Sequence, residues 1–343
     1  MNRSNPKFTF VSRRERPLTL DLERAITDFL YSKRIEKRAG KTLEAYEQTL
    51  VQFRKWFDNQ PEKTIDTDVI RKYIHYLTFE KIRWDDHPTS PNAGVGLSAR
   101  TVNNTIRNLN VFFNYLLKER IISYTPMEPI NYQPEEKETF EVFVDEEVLR
   151  LLDAPNKRVY TGFRDYCMML VLCDTGLRIG ELTHLKISDV DLRMRHITVR
   201  AEIAKTNAAR ILPVSKRTAK ELEKLISFMN VSDDDYLWLT QFGERYYADS
   251  FGKMLRKYGK KAGVTTARVS PHTFRHFFAV KFLRSGGDPI ALARLLGHTS
   301  LEMTQVYVKY TRSDLREQHD KASPVANLID GGNERKRGKM RFK

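Results

Sequence analysis

Residues 271–276 read Pro271-His272-Thr273-Phe274-Arg275-His276, and residues 295–298 read Leu295-Leu296-Gly297-His298, followed at 304–307 by Thr304-Gln305-Val306-Tyr307. Both stretches have the grammar of short helices with deliberate breaks. Pro271 suits a helix start, where its missing N–H would have no partner anyway. His272 and Arg275, three apart, then project from one face and can reach one ligand. Gly297 ends the next helix and frees the imidazole of His298. Upstream, Thr175-Gly176-Leu177-Arg178-Ile179-Gly180-Glu181-Leu182 aims Arg178 out of a glycine-broken junction, and Lys205 stands with Thr206 and Asn207 at a turn. The ordered set Arg178, Lys205, His272, Arg275, His298 and Tyr307 offers two guanidiniums, an amine, two imidazoles and a phenol. Planar guanidiniums match pairs of phosphate oxygens, and a phenol oxygen can attack phosphorus.

Each residue also has an ordinary reading. Arg178 can be a surface ion pair with Glu181, three residues on. Lys205 can be a solvated lysine at a turn tip. His272 and Arg275 can be basic residues on a helix surface, and His298 a helix cap. Tyr307 can pack like most tyrosines, and Tyr310 is its obvious rival as a nucleophile. His272 and His276 have the four-residue spacing of some zinc proteases, but Thr273 stands where their glutamate would be, so no metal is expected. No cofactor motif of the phosphate-cradling, glycine-rich kind occurs either. The order and number of these residues, rather than any one of them, carry the reading.

Working outward, periodicity predicts helices at 145–153, 162–174, 178–186, 216–229, 246–262, 270–285, 288–296 and 300–309. The segment 162–174 is apolar almost all round and should be central, with Gly176 as its C-cap. Residues 196–200 and 210–214 read as the strands of a hairpin whose tip holds Lys205. Further upstream the chain is all helical. Leu22, Ala25, Ile26, Phe29 and Leu30 recur at helical spacing. Tyr46, Leu50, Phe53, Trp56 and Phe57 mark a second helix, with Thr42 as its N-cap. Residues 66–80 give a third helix, and Ser98 caps a fourth over 99–119. The stretch 84–96 is a loop rich in Pro, Gly, Ser and Asp. The expected organisation is a basic arm at 1–19, a helical domain at 20–128, a proline-containing linker at 129–142, a second domain at 143–322 and a tail at 323–343. The class is mainly α, with one small antiparallel sheet in the second domain.

At 343 residues and 41% hydrophobic, the chain has room for about two cores. The balance of 59 Lys and Arg against 44 Asp and Glu, net +15, favours a polyanionic partner. No run approaches the ~18 apolar residues of a spanning helix, so no membrane association is expected. The basic N-terminus lacks the apolar run of a secretory signal. Cys167 and Cys173 lie in one apolar segment and read as small buried hydrophobes of a reducing, cytoplasmic compartment.

In the order given, Arg178, Lys205, His272, Arg275, His298 and Tyr307 resemble the tyrosine recombinase (phage integrase) family, Xer-like members included. The resemblance covers most of residues 145–320. More loosely, the N-terminal helices, with Thr42, Tyr46, Phe53 and Arg100-Thr101-Val102, resemble that family's SAM-like core-binding domain. The resemblance implies a metal-independent DNA strand transferase. Such an enzyme cleaves and rejoins double-stranded DNA through a 3′-phosphotyrosine intermediate, in integration, excision or resolution, and acts as a homo-tetramer on DNA while being a monomer or dimer when free. It implies that Arg178 and Arg275 hold the scissile phosphate and that Lys205 protonates the departing 5′ oxygen. His272 would assist proton transfer at the nucleophile, His298 would donate to the phosphate, and Tyr307 would attack. Type IB topoisomerase-like relaxation, and a DNA-binding regulator that has lost catalysis, are the competing expectations. A C-terminal helix at 313–321, followed by Val325, Ala326, Leu328 and Ile329, offers a tail that docks in cis or on a neighbouring subunit. The run 335–339 adds basic charge for phosphates.

Overall fold

The computed structural model describes residues 20–62, 64–82, 94–135 and 141–310. The basic arm, most of the 84–96 loop, part of the linker and everything expected beyond residue 310 lie outside the described residues. The chain divides into two compact units, Met1–Glu138 and Thr139–Lys343.

The first unit is built from α1 (Leu22–Ile35), α2 (Gly40–Asp58), α3 (Thr67–His75) and α4 (Ala99–Lys118). Three helix starts are fixed by side-chain caps: Asp21 accepts from the Arg24 N–H, Asp66 from Val69 and Ser98 from Thr101. Each satisfies an amide that the helix itself leaves without a partner. Helix α2 departs from expectation. It begins at Gly40 rather than at a Thr42 cap, because the Thr42 N–H already donates to Ala39 O at 2.8 Å and no side chain caps the turn. The helix expected over 66–80 changes pitch: α3 ends at His75 and the chain continues as a π-helical turn, Tyr76–Glu80. The core is aromatic. Phe29, Phe53, Phe112 and Phe113 have no exposed surface, and Phe29 meets Phe112 edge-on with ring centres 5.5 Å apart. Residues from the expected linker lie along these helices. Asn103 accepts from the Gln133 N–H at 2.8 Å and donates to Gln133 O at 2.9 Å.

The second unit runs α5 (Asp145–Asp153), α6 (Tyr160–Thr175), α7 (Ile179–Leu182), β1 (Val190–Asp191), β2 (His196–Val199), β3 (Arg210–Pro213), α8 (Lys216–Ser227), α9 (Ala248–Lys261), α10 (Pro271–Arg284), α11 (Pro289–Leu296) and α12 (Glu302–Tyr310). The sheet is antiparallel in the order β1-β2-β3, with Ile197 opposite Leu212 and Val199 opposite Arg210. The mainly α class with a small antiparallel sheet is thus present. Helix α6 is central: Cys167, Met168, Met169, Val171 and Leu172 are all buried, and α8 and α10 pack against it. Burial pushes the Cys167 thiol up to about 12, in keeping with an inert core cysteine. The helix expected over 178–186 is only the four residues of α7. Thr183–Leu185 turn away, and Ile187–Asp189 form a 3₁₀ turn that leads into β1.

Two glycines in the left-handed region end the helices that matter most. Gly176, at φ 61°, closes α6, and a Cβ there would lie 2.5 Å from Phe278 Cδ1. Gly297, at φ 62°, closes α11, and a Cβ there would lie 3.2 Å from Arg210 Nη1. No other residue takes that conformation at so little cost. The last carbonyls of both helices therefore face inward without helical partners.

Candidate active site

Those free carbonyls organise the site. Arg275, on α10, is only 5% exposed. Its Nη1 donates to Gly176 O and its Nη2 to Leu296 O, each at 2.8 Å. Arg178, at the N-cap of α7, donates from Nη1 to the same Leu296 O at 3.1 Å and from Nη2 to Gly297 O at 3.2 Å. Cations are favourable at helix C-termini, where the carbonyl dipoles point outward. The two guanidiniums thus converge on one acceptor. Burial first, and then the charge of Arg178, lower Arg275 to about 10, so it remains a cation at neutral pH.

One anion balances this cluster. Glu181, buried to 2% exposure, accepts from Arg178 Nη1 at 3.2 Å, as its spacing predicted, and from the Arg178 N–H at 3.1 Å. It also accepts from Arg210 Nη2 at 2.6 Å, the shorter bond. Burial alone would push Glu181 up, but Arg210 first and then Arg178 outweigh it and hold it ionised. Arg210 Nε reaches on to Leu295 O at 2.9 Å. Arg210 was absent from the expected set. The only hint was a charged residue at the start of an otherwise apolar strand, opposite Val199.

The ring groups lie beside the guanidiniums. Tyr307, on α12, is buried at 5% exposure, and its ring stacks on His298 with centres 6.3 Å apart and planes within 11°. The Nδ1 of His298 shares a 2.8 Å hydrogen bond with the hydroxyl of Thr304, itself buried. Burial and then the charges of Arg275, Arg178 and Arg210 push His298 down to about 4, so this imidazole is neutral at neutral pH. Burial raises the Tyr307 phenol, opposed by Arg275 and Arg178, so it keeps its proton at neutral pH. His276 Nδ1 lies 2.8 Å from the Tyr307 hydroxyl.

His272 and Lys205 form the open side. Both are exposed. Local desolvation and then the charges of Arg275, Arg178 and Lys205 lower His272, which places all three cations within electrostatic reach of its ring. Lys205 sits on the turn between β2 and β3, where Ala204 is buried and Asn207 takes φ 51°. Of the six residues expected from the sequence, Arg178, Arg275, His298 and Tyr307 are therefore gathered around one point, from α7, α10, the end of α11 and α12, with His272 one helical turn from His276 on α10 and Lys205 on the β2–β3 turn. The glycine-ended helices supply the convergence. Among the described residues, no group of three or more His, Cys, Asp or Glu side chains is arranged to hold a metal.

Residues 141–313 match the model of the phage integrase family, and residues 25–123 match that of the phage integrase N-terminal SAM-like domain. Tyrosine recombinase XerD of Listeria monocytogenes serovar 1/2a is 29% identical over 309 residues, covering 88% of this chain and 99% of XerD. Tyrosine recombinase XerC of Thermodesulfovibrio yellowstonii is 28% identical over 310 residues, covering 88% of this chain and 96% of XerC. Among solved structures, the Tn1549 transposon integrase in complex with circular intermediate DNA superposes with a TM-score of 0.65 at 20% identity, covering 87% of this chain and 99% of that one. The XerH site-specific recombinase bound to palindromic difH substrate, a post-cleavage complex, gives 0.64 at 19% identity, covering 89% and 91%. At such identities the two structures speak to the fold.

Proposed function

The chain belongs to the phage integrase family of tyrosine recombinases, and from that premise we propose how its residues divide the work of cutting and rejoining DNA. It is an enzyme of site-specific recombination, a DNA strand transferase that acts on duplex DNA through a 3′-phosphotyrosine link. Neither a topoisomerase-like activity nor an inactive regulator is favoured by any relative found.

Arg178 and Arg275 grip the non-bridging oxygens of the scissile phosphate. The observation that carries this reading is their shared acceptor, Leu296 O. Two guanidiniums held that close, with Glu181 also claimed by Arg210, leave excess positive charge in a partly dry site. An entering phosphodiester would neutralise it, and the attacking transition state, carrying more negative charge, would neutralise it better. The donors are aimed before substrate arrives, so no reorganisation is spent at the moment of reaction.

Tyr307 supplies the nucleophile, and Lys205 protonates the departing 5′ oxygen from its exposed turn. His298, neutral and fixed by Thr304, donates to a phosphate oxygen, while His272 assists proton movement on the open side. The phosphotyrosine bond conserves the energy of the broken ester, so the second strand rejoins without a nucleotide cofactor. The helical residues 20–128 act as the core-binding domain and residues 143–322 as the catalytic domain. Strand exchange runs in a homo-tetramer assembled on DNA in the cytoplasm. No helix among the described residues is long and apolar enough to cross a membrane.

A nicked suicide substrate, which traps the covalent intermediate, tests the assignment. Tyr307→Phe should bind DNA in a gel-shift assay at wild-type affinity and form no protein–DNA adduct. An adduct with this variant would move the nucleophile to another residue, Tyr310 first.

A further inference from the structure

We propose that His276, one helical turn beyond His272, takes the proton from Tyr307 as the phenol oxygen bonds to phosphorus. The inference rests on the reading of Tyr307 as nucleophile and adds the group that activates it.

Three observations carry it. The hydroxyl of Tyr307 and Nδ1 of His276 are 2.8 Å apart, hydrogen-bond distance between a reacting atom and a possible base. The phenol is buried and held protonated by its surroundings, so attack requires an acceptor inside the pocket. Finally, α10 seats His276 between two other rings. Its centre is 6.4 Å from His272 on the same helix face and 5.6 Å from Tyr307 on α12. Among the described residues, the charged and titratable groups around this pocket include His272 and Arg275 on α10, Tyr307 on α12, His298 on the far face of the Tyr307 ring, Arg178 at the start of α7, and beyond them Glu181, Arg210 and Lys205.

With the ring proton on Nε2, Nδ1 is the acceptor and the phenol O–H donates. In the forward step the Tyr307 Oη–P bond forms and the P–O5′ bond breaks. The phenol proton moves to Nδ1, giving an imidazolium, while Lys205 gives a proton to the 5′ oxygen. The phosphodiester carries one negative charge before and after, and each proton has a named donor and acceptor. On religation the imidazolium returns its proton to the phenolate leaving group. The imidazolium also lies beside the phosphorane while its negative charge is greatest, which favours the transition state over the ground state.

The test measures single-turnover adduct formation on the suicide substrate at saturating DNA. His276→Ala should be slower by roughly 100-fold or more, the usual range for loss of a general base, with DNA binding retained. His276→Asn keeps an acceptor oxygen near the position of Nδ1 but cannot hold a proton, and it should be as slow as His276→Ala. A substrate with sulfur in place of the 5′ bridging oxygen, whose leaving group needs no acid, should rescue Lys205→Ala and fail to rescue His276→Asn. Near-wild-type cleavage by His276→Asn would reduce His276 to a tether for the phenol and overturn the proposal. Rescue of His276→Asn by the sulfur substrate would do the same, since it would put His276 at the leaving oxygen. If Tyr307→Phe still forms an adduct, the nucleophile assignment fails. If that variant is inert while His276→Ala cleaves normally, only the present inference fails.

Discussion

The two units solve the same packing problem with opposite materials. Among the described residues of the first unit, the buried polar side chains are Thr67 and Asn103, both neutral and both bonded to backbone. Everything else in that core is apolar, and much of it is aromatic. The second unit buries Glu147, Arg164, Asp165, Glu181, Asp189, Glu221 and Arg275. Isolated buried charges cost several kcal/mol, and even paired ones are often no more stabilising than hydrophobic replacements. Among the described residues, the first unit's core is built without them. The second unit holds Arg178 and Arg275 on the carbonyls exposed where Gly176 and Gly297 end two helices, which keeps two cations side by side.

The sharpest way to break the contrast is to empty the aromatic core. Phe112 is fully buried, with its ring centre 5.5 Å from that of Phe29 and 5.2 Å from that of Phe113. Phe112→Ala should cost about 3–5 kcal/mol, combining lost transfer energy with an unfilled cavity. Hydrogen exchange read by mass spectrometry should show protection lost across residues 22–118 and kept across residues 145–296. Equal loss in both ranges would mean that the two cores fold as one, and the comparison would not survive it.

The next effect is on chemistry rather than stability. Arg275→Ala should slow adduct formation roughly 100- to 1,000-fold, the usual loss for one preorganised donor to a developing negative charge. Its unfolding midpoint should move less than that of Phe112→Ala. The variant gives up two bonds to carbonyls, but it also removes a buried cation that stands against Arg178. Arg275→Lys should recover little activity, because a single ammonium cannot span Gly176 O and Leu296 O together. A drop in stability matching that of the phenylalanine variant, with cleavage intact, would make Arg275 a structural residue.

The same contrast explains what could be read from sequence. The apolar stripe of α4 and the all-round apolar run of α6 were legible because burial leaves a periodic trace. The two strands of the hairpin were legible from their alternation. Gly176 and Gly297 were legible as helix ends, since little else tolerates a positive φ so cheaply. The helix of Tyr46, Leu50 and Phe53 was legible too, but its start at Gly40 was not, because its first turn closes on the Ala39 carbonyl and no side chain announces it. Strand β1 has two residues, too few for any alternation. In the site, the six expected residues were chosen through their order in a recognisable family pattern, while Arg210 and His276 had little beyond position in space to mark them. Arg210 matters through Glu181, 29 positions away, and His276 through Tyr307, 31 positions away. Local spacing gave Glu181 to Arg178 alone, and it offered His276 only as half of a metal pair.

The smallest effect is also the cleanest comparison, because the two units carry the same cap. Ser98 Oγ accepts from the Thr101 N–H at 3.4 Å and lies 2.9 Å from the Thr101 hydroxyl. Ser270 Oγ accepts from the Thr273 N–H at 3.3 Å and lies 2.9 Å from the Thr273 hydroxyl. Ser98→Ala and Ser270→Ala should each cost about 1 kcal/mol in urea unfolding, as N-cap losses usually do. Their effects on cleavage of saturating DNA should differ. Ser98 starts α4, whose buried face is apolar but for Asn103 and carries none of the six proposed site residues. Ser270 starts α10, where His272 is the second residue and Arg275 the fifth. Fraying that first turn displaces both at once, and a misplacement on the order of 1 Å can cost up to roughly 100-fold in rate. Ser270→Ala should therefore slow adduct formation several-fold while Ser98→Ala leaves it unchanged. Equal slowing would place the start of α4 among the elements that set the chemistry. No slowing in either would mean that α10 is held in register by its packing on α6 and by the carbonyls that grip Arg275, with the cap contributing stability alone.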